Sequence, residues 1–218
     1  MEMIIGVFIF AVIVTTFVWV AYNISGAGET VCEQPTVPKS TQEEYHKYKP
    51  EDIIVLDVET TGINPRYNDI LQCSIIDGTG NVLFNEYCRP SKRKKWDDAQ
   101  AVNGISPDDV KDCLTFDDFS PMVCDIIYKH KLIVGWNVEF DLKFLDAKEA
   151  LPDNVKYCDV MKIFKYAHPE SRYRLVDAAE FYEVSFNAHN SVEDCKATLG
   201  VIEGLQKEEA VFEVKIWE

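Results

Sequence analysis

Residues 53–62, Ile-Ile-Val-Leu-Asp-Val-Glu-Thr-Thr-Gly, begin as an unbroken apolar run, then place a carboxylate at every second position until Gly62 ends the pattern. Side chains two apart on a strand share a face. The pattern predicts a buried strand with Ile53, Val55, Asp57 and Glu59 in one row and Ile54, Leu56 and Val58 in the other. Residues 69–77 and 82–88 read as two further strands, and Asp77-Gly78-Thr79-Gly80-Asn81 between them as the tight turn of a hairpin. Ser106-Pro107-Asp108-Asp109 has the composition of a helix start. Phe116, Phe119, Val123, Ile126 and Ile127 recur at helical spacing, with Pro121 expected to kink or restart that helix at a second cap, Ser120. A short buried strand over 131–136 stops at Gly135-Trp136-Asn137, and a helix over 138–150 carries Asp141 in its first turn. A brief strand over 155–158 leads to Asp159 as the cap of the next helix, and another helix covers 174–182. The last helix spans 191–206, with Val192, Cys195, Leu199, Ile202 and Leu205 inward, Asp194 in its first turn and His189 just before it. Strands alternating with helices indicate an α/β domain.

The flanks have a different pattern. Met3 to Tyr22 is a run of 20 uncharged, mostly apolar residues ending near Trp19 and Tyr22, long enough to cross a bilayer as one helix. A cleavable signal peptide is the rival reading, with Ser25-Gly26-Ala27 as its cut site, but no basic segment precedes the run and its length exceeds a usual signal core. The chain therefore divides into a transmembrane anchor (1–24), a polar Gly- and Pro-containing linker (25–50), a folded domain (51–207) and a charged tail (208–218) to which no role is given. No Lys or Arg precedes the anchor while Lys39, Lys47 and Lys49 follow it, a bias that puts the bulk of the chain in the cytoplasm.

Composition narrows the partners. With 37 Asp and Glu against 22 Lys and Arg, the net charge of −15 excludes gripping long nucleic acid by general electrostatics, so any such partner is held locally. Lys92-Arg93-Lys94-Lys95 is the one dense basic run, either a solvated loop or a phosphate contact. The 7 cysteines are scattered, odd in number and without a Cys-x-x-Cys pair, which fits reduced thiols.

Two like charges side by side at the edge of a core are costly unless a cation neutralises them. Hard divalent ions such as Mg²⁺ or Mn²⁺ take carboxylate oxygens, so Asp57 and Glu59 suggest a metal site, the alternative being a strand that runs into a solvated acidic turn. Asp141 and Asp194 taken singly need no function, because an acid in the first turn of a helix favours the helix dipole.

Taken together, Asp57-Val58-Glu59-Thr60-Thr61-Gly62, Asn137-Val138-Glu139-Phe140-Asp141 and His189-Asn190-Ser191-Val192-Glu193-Asp194 occur in this order on suitable elements. In this the chain resembles the DEDDh 3′–5′ exonucleases, the group of the proofreading subunit of bacterial DNA polymerase III, ribonuclease T and oligoribonuclease. Ala101-Val102-Asn103-Gly104-Ile105-Ser106 and Tyr157-Cys158-Asp159 add to the likeness, whereas Asn103 and Trp136 stand where family members often carry His.

The resemblance implies a ribonuclease H-like mixed β-sheet flanked by helices, and release of nucleoside 5′-monophosphates from single-stranded 3′ ends, DNA favoured over RNA. It implies two divalent ions, Mg²⁺ or Mn²⁺, with Asp57, Glu59 and Asp194 at one, Asp57 bridging to the second, Asp141 supporting that one, and His189 as general base. Thr60, Thr61, Gly62, Asn137 and Phe140 would meet the terminal nucleotide, and Arg66-Tyr67 and Arg172-Tyr173-Arg174 would touch backbone or bases. A polymerase or repair partner is a further implication. RNA 3′-end processing, a silent membrane-tethered binding protein and a secreted nuclease are the competing readings.

Overall fold

A computed structural model describes residues 45–187 and 190–217; the apolar segment 3–22 and His189 lie outside the described residues. Six strands, β1 (Ile53–Thr60), β2 (Ile70–Asp77), β3 (Val82–Tyr87), β4 (Leu132–Gly135), β5 (Lys156–Asp159) and β6 (Lys215–Ile216), form one sheet in the order β3-β2-β1-β4-β5-β6. β2 and β3 form the expected hairpin, antiparallel to each other and to β1, while β1, β4 and β5 are parallel and β6 closes the far edge antiparallel. The sheet is mixed, as expected.

The described helices are α1 (Asp97–Asn103), α2 (Pro107–Val110), α3 (Phe116–Lys129), α4 (Val138–Asp146), α5 (Val160–Ala167), α6 (Leu175–Phe181) and α7 (Ser191–Lys207). Strand alternation divides them. Ile54, Leu56 and Val58 pack on one face among Phe116, Val123 and Ile127 of α3 and Leu142 and Leu145 of α4. On the other face Ile53 lies with Ile163 and Phe164 of α5 and Ile202 and Leu205 of α7, and Val55 lies with Cys195 of α7. The two rows of β1 thus fall on the faces that the alternation predicts, and Asp57 and Glu59 belong to the α7 side. The described cysteines are all unpaired, in keeping with reduced thiols.

Three elements depart from the sequence pattern. α1 was not expected, because its sequence Asp-Asp-Ala-Gln-Ala-Val-Asn has a weak apolar stripe and its first turn has no side-chain cap; Gly104, at φ +73°, ends it in a left-handed turn. α3 runs unbroken through Pro121. Its start is held by a reciprocal cap between Thr115 and Asp118, and a proline at the sixth helical position forfeits one backbone bond while Phe116, Val123 and Ile127 keep the helix on the core. Ser120 is no second cap; its hydroxyl donates to the Lys148 carbonyl at 2.8 Å. The segment after 207 is part of the fold: it supplies β6 and Phe212, which is fully buried and stacks on Tyr45 with ring centroids 4.1 Å apart.

That stack ties the two ends of the described chain together, so Phe212→Ala leaves a cavity no neighbour fills. The expected loss is about 3–5 kcal/mol of unfolding free energy in equilibrium urea denaturation; a loss below about 1 kcal/mol would mean that the C-terminal segment is not part of the cooperative unit.

Candidate metal centre

β4 pairs with β1 only over Ile53 to Val55, so β1 runs on beyond its parallel neighbour. On the other side β2 follows it, with Asp57 opposite Ser74 and Glu59 opposite Gln72. The N–H of Val58 therefore has no strand partner on the β4 side, and the buried Asp141 carboxylate of α4 accepts from it at 2.9 Å. Two features bring α4 close enough. At Gly135 a Cβ would lie 2.8 Å from the Leu56 carbonyl oxygen, so only glycine lets the chain leave β4 at this distance. Asn137 then turns the chain in the left-handed region, φ +60° and ψ 38°, its N–H donating to Asp159 Oδ1 at 3.2 Å.

α7 is positioned by buried polar contacts at its first turn. The hydroxyls of Ser74 on β2 and Ser191 on α7 share a short hydrogen bond, and the Cys195 thiol faces the Ser74 carbonyl at 3.7 Å. The Asn190 side chain caps the helix by accepting from the Glu193 N–H at 3.4 Å. This docking points Asp194 at β1. One carboxylate oxygen from each of Asp57, Glu59 and Asp194 lies within 4.8 Å of the others.

Burial raises the pKa of Asp57 well above the carboxylate range, and repulsion from Asp141, Glu59 and Asp194 adds to it. Burial also raises Glu59, with Asp194 adding to the rise, to about 7 against the opposing hydrogen bond from Asn103. Asp141 is raised by burial as well, opposed by the Val58 N–H. Among the described residues, the charged groups that act on Asp57 and Glu59 are themselves carboxylates. The donor set is all carboxylate, half-buried and mutually repelling, which fits hard divalent cations.

The other residues singled out in the sequence are placed as follows. Thr60 and Thr61 are buried at the end of β1, with Thr60 donating to the Gly62 carbonyl at 2.8 Å and the Thr61 hydroxyl accepting from the Asp69 N–H at 2.9 Å. Their side chains serve the loop. Phe140 packs at the fringe of the core, 5.1 Å from the Phe144 ring. Arg174 is committed to a two-pronged pair with Asp177, both contacts at 2.7 Å. The polar pairs that hold the site were not read from the sequence as such. Asn103 donates to the Thr60 carbonyl at 3.2 Å and accepts from the Ile105 N–H at 3.1 Å. Ser74 and Ser191 are 117 residues apart, and no local pattern couples them.

Fold and site together define a ribonuclease H-like exonuclease domain. The family described as RNase_T, Exonuclease, matches residues 54–202, and the chain belongs to it. RNA exonuclease 4 of Candida glabrata is 26% identical over 180 residues, covering 78% of this chain and 66% of that protein. An uncharacterized exonuclease, CP81, of Escherichia phage 186 is 27% identical over 180 residues, covering 74% of this chain and 91% of the phage protein. Among solved structures, E. coli Exonuclease I in complex with a dT13 oligonucleotide shares the fold at a TM-score of 0.60 and 19% identity, over 72% of this chain and 41% of that one. The resemblance drawn from the three motifs is borne out by the family match, and the cluster of Asp57, Glu59 and Asp194 fits the divalent ions that it implies.

In the metal-free protein the raised carboxylates set the pH dependence of stability. An acid whose folded pKa exceeds its unfolded value of about 4 holds its proton longer when folded, so its contribution to stability declines as pH rises from about 4 to the folded value. For Glu59 that window closes at about 7. With EDTA present, Asp57→Asn should therefore melt several degrees above the parent at pH 7.5, roughly 2–4 °C per kcal/mol, and much closer to it at pH 4. Mn²⁺ should raise the parent's Tm and close that gap. A variant that melts below the parent at pH 7.5 without metal would show that Asp57 is not electrostatically strained.

Proposed function

We propose that this domain is a metal-dependent 3′–5′ exonuclease acting on single-stranded nucleic-acid ends. The observation that carries the reading is the convergence of Asp57, Glu59 and Asp194 within 4.8 Å, with the buried Asp141 anchored one residue away at Val58. Asp57, Glu59 and Asp194 would hold one divalent ion, and Asp57 with Asp141 would support a second. Two such ions, when bound, would supply charge neutralisation at a scissile phosphate and at the entering and leaving oxygens. His189, with an unperturbed imidazole pKa of about 6.5, would take the proton of the attacking water. The oxygen of that water would join the phosphorus, the P–O3′ bond would break with O3′ taking up a proton from solvent, and the products would be a 5′-monophosphate and a strand shortened by one nucleotide that ends in a 3′-hydroxyl. Backbone groups of Thr60, Thr61 and Gly62 would face the terminal nucleotide, with Asn137 and Phe140 on its other side.

DNA is favoured through the likeness of Asp57-Val58-Glu59-Thr60-Thr61-Gly62 to the proofreading branch, while the relative named RNA exonuclease 4 supports RNA. A polymerase or repair partner rests on the proofreading likeness alone. Residues 1–24 are proposed as a membrane anchor and the segment from 25 up to Tyr45, where the folded core begins, as its linker, with the catalytic domain in the cytoplasm, on the uncharged run Met3 to Tyr22 and the lysines that follow it. Among the described residues no helix is long and apolar enough to cross a membrane.

With Mn²⁺ and matched labelled single strands of DNA and RNA, the expected product is mononucleotide from the 3′ end. Asp57→Ala and His189→Ala should each slow its release by at least roughly 100-fold while leaving the melting transition cooperative. Undiminished release in either variant overturns the mechanism. In cells the full chain should stay in the membrane fraction through alkaline carbonate extraction, and a chain starting at Thr41 should not; equal partitioning removes the anchor.

A further inference from the structure

A cleft of about 620 Å³ opens beside the metal centre, and none of Asp57, Glu59, Asp141 and Asp194 lines it. One wall is the loop that leaves β1, from Thr61 to Asn68; the other is the start of α1 with Val102; Arg93 and Lys95 form the rim. Both walls begin at the site, since Thr61 follows the last residue of β1 and Asn103, at the end of α1, donates to the Thr60 carbonyl at 3.2 Å.

The rim is held in place. The Lys92 N–H donates to Asp69 Oδ2 at 2.7 Å and its ammonium to the Pro65 carbonyl at 2.8 Å, while Arg93 Nε donates to the Tyr67 carbonyl at 3.2 Å. Asp69 is itself paired with Lys148 at the end of α4, at 3.4 Å. The basic run is thus stitched to the loop that follows the catalytic strand. Arg93, Lys94 and Lys95 are exposed, and among the described residues none of them forms an ion pair. Ile63 is 87% exposed and Val102 61% exposed, both lining the cleft. Asp97 and Asp98 on the α1 wall repel anions, which leaves the Arg93 and Lys95 side as the favourable path for a phosphate chain.

We propose that this cleft binds the single strand upstream of the 3′-terminal nucleotide, Arg93 and Lys95 pairing with its backbone phosphates and Ile63 and Val102 supporting its bases. The proposal rests on the exonuclease reading for the direction of the strand. Cationic side chains alternating with exposed apolar surface suit a polynucleotide held by phosphate contact and stacking without base readout. On a chain of net charge −15, this occupant is the one that the local charge selects.

The test is fluorescence anisotropy with 5′-labelled dT4 and dT12, and their RNA counterparts, in Ca²⁺ across a salt series. The full-length protein should bind the 12-mer roughly tenfold more tightly than the 4-mer at low salt. Arg93→Ala/Lys95→Ala should lose most of that length advantage and flatten the salt slope for the 12-mer by about 1.4, the value for two single-strand phosphates. Its Mn²⁺-induced rise in Tm should match the parent's, which keeps the metal site out of the comparison. An unchanged length advantage and slope in the variant, or no binding of the 12-mer by the parent, overturns the cleft. Failure of the parent to release mononucleotides in Mn²⁺ overturns the exonuclease reading instead, and leaves the binding result to be judged separately.

Discussion

Mutual repulsion among Asp57, Glu59, Asp141 and Asp194 is the constraint on which the rest of this structure depends. Burial alone pushes the first three toward their neutral forms, and each carboxylate near another raises the cost of ionising it. Left free, the elements that carry them would relax apart. They are held by neutral donors that tolerate either protonation state of the site: the Val58 N–H on Asp141, the Asn103 amide on the Thr60 carbonyl next to Glu59, and the Ser74 and Ser191 hydroxyls that clamp α7 to β2. The cluster is thereby preformed for a cation at the expense of the metal-free fold.

The sheet explains why the cluster sits at this point. β1 is the strand at which pairing changes from antiparallel on the β2 side to parallel on the β4 side. Because β4 stops early, the end of β1 keeps one neighbour and loses the other, and the space is filled by the first turn of α4. The left-handed Asn137 and the bare Gly135 let α4 begin close enough for a side chain to replace the missing strand bond. Asp159, which receives the Asn137 N–H and caps α5 at the end of β5, extends the same arrangement one strand further. Open α/β sheets place ligands beyond the carboxyl ends of parallel strands, and here that position is acidic.

Much of this was legible in the sequence, for particular reasons. The alternation of residues 53–59 gave both faces of β1, because a period of two admits only one assignment once one row is apolar. Asp141 and Asp194 were readable as first-turn acids, but their convergence was not; it entered through the resemblance of three ordered motifs. What stayed illegible is non-local or locally weak. The pairing of Ser74 with Ser191 joins segments with nothing in common along the chain. α1 has too faint an apolar stripe to predict, although it supplies Asn103 and a wall of the cleft. The tail looked merely charged because its apolar residues, Phe212, Val214, Ile216 and Trp217, alternate with acids and a lysine over a short stretch, and their partners, Tyr45 and Tyr157, lie far away in the chain.

An acidic body with a local basic rim has a consequence for how a polyanion is met. Over most of a surface carrying a net charge of −15, a nucleic-acid strand is repelled within the screening length, about 8 Å at physiological salt. In the proposed arrangement attraction is concentrated on the rim that Arg93 and Lys95 form, and beyond it, once the carboxylates are occupied, on the divalent ions. In the proposed arrangement a strand meets this rim first and then the metal centre, where β1 ends. Such a path needs no recognition of base or sequence: one attractive rim on a repulsive surface leads to the half-buried acids of β1.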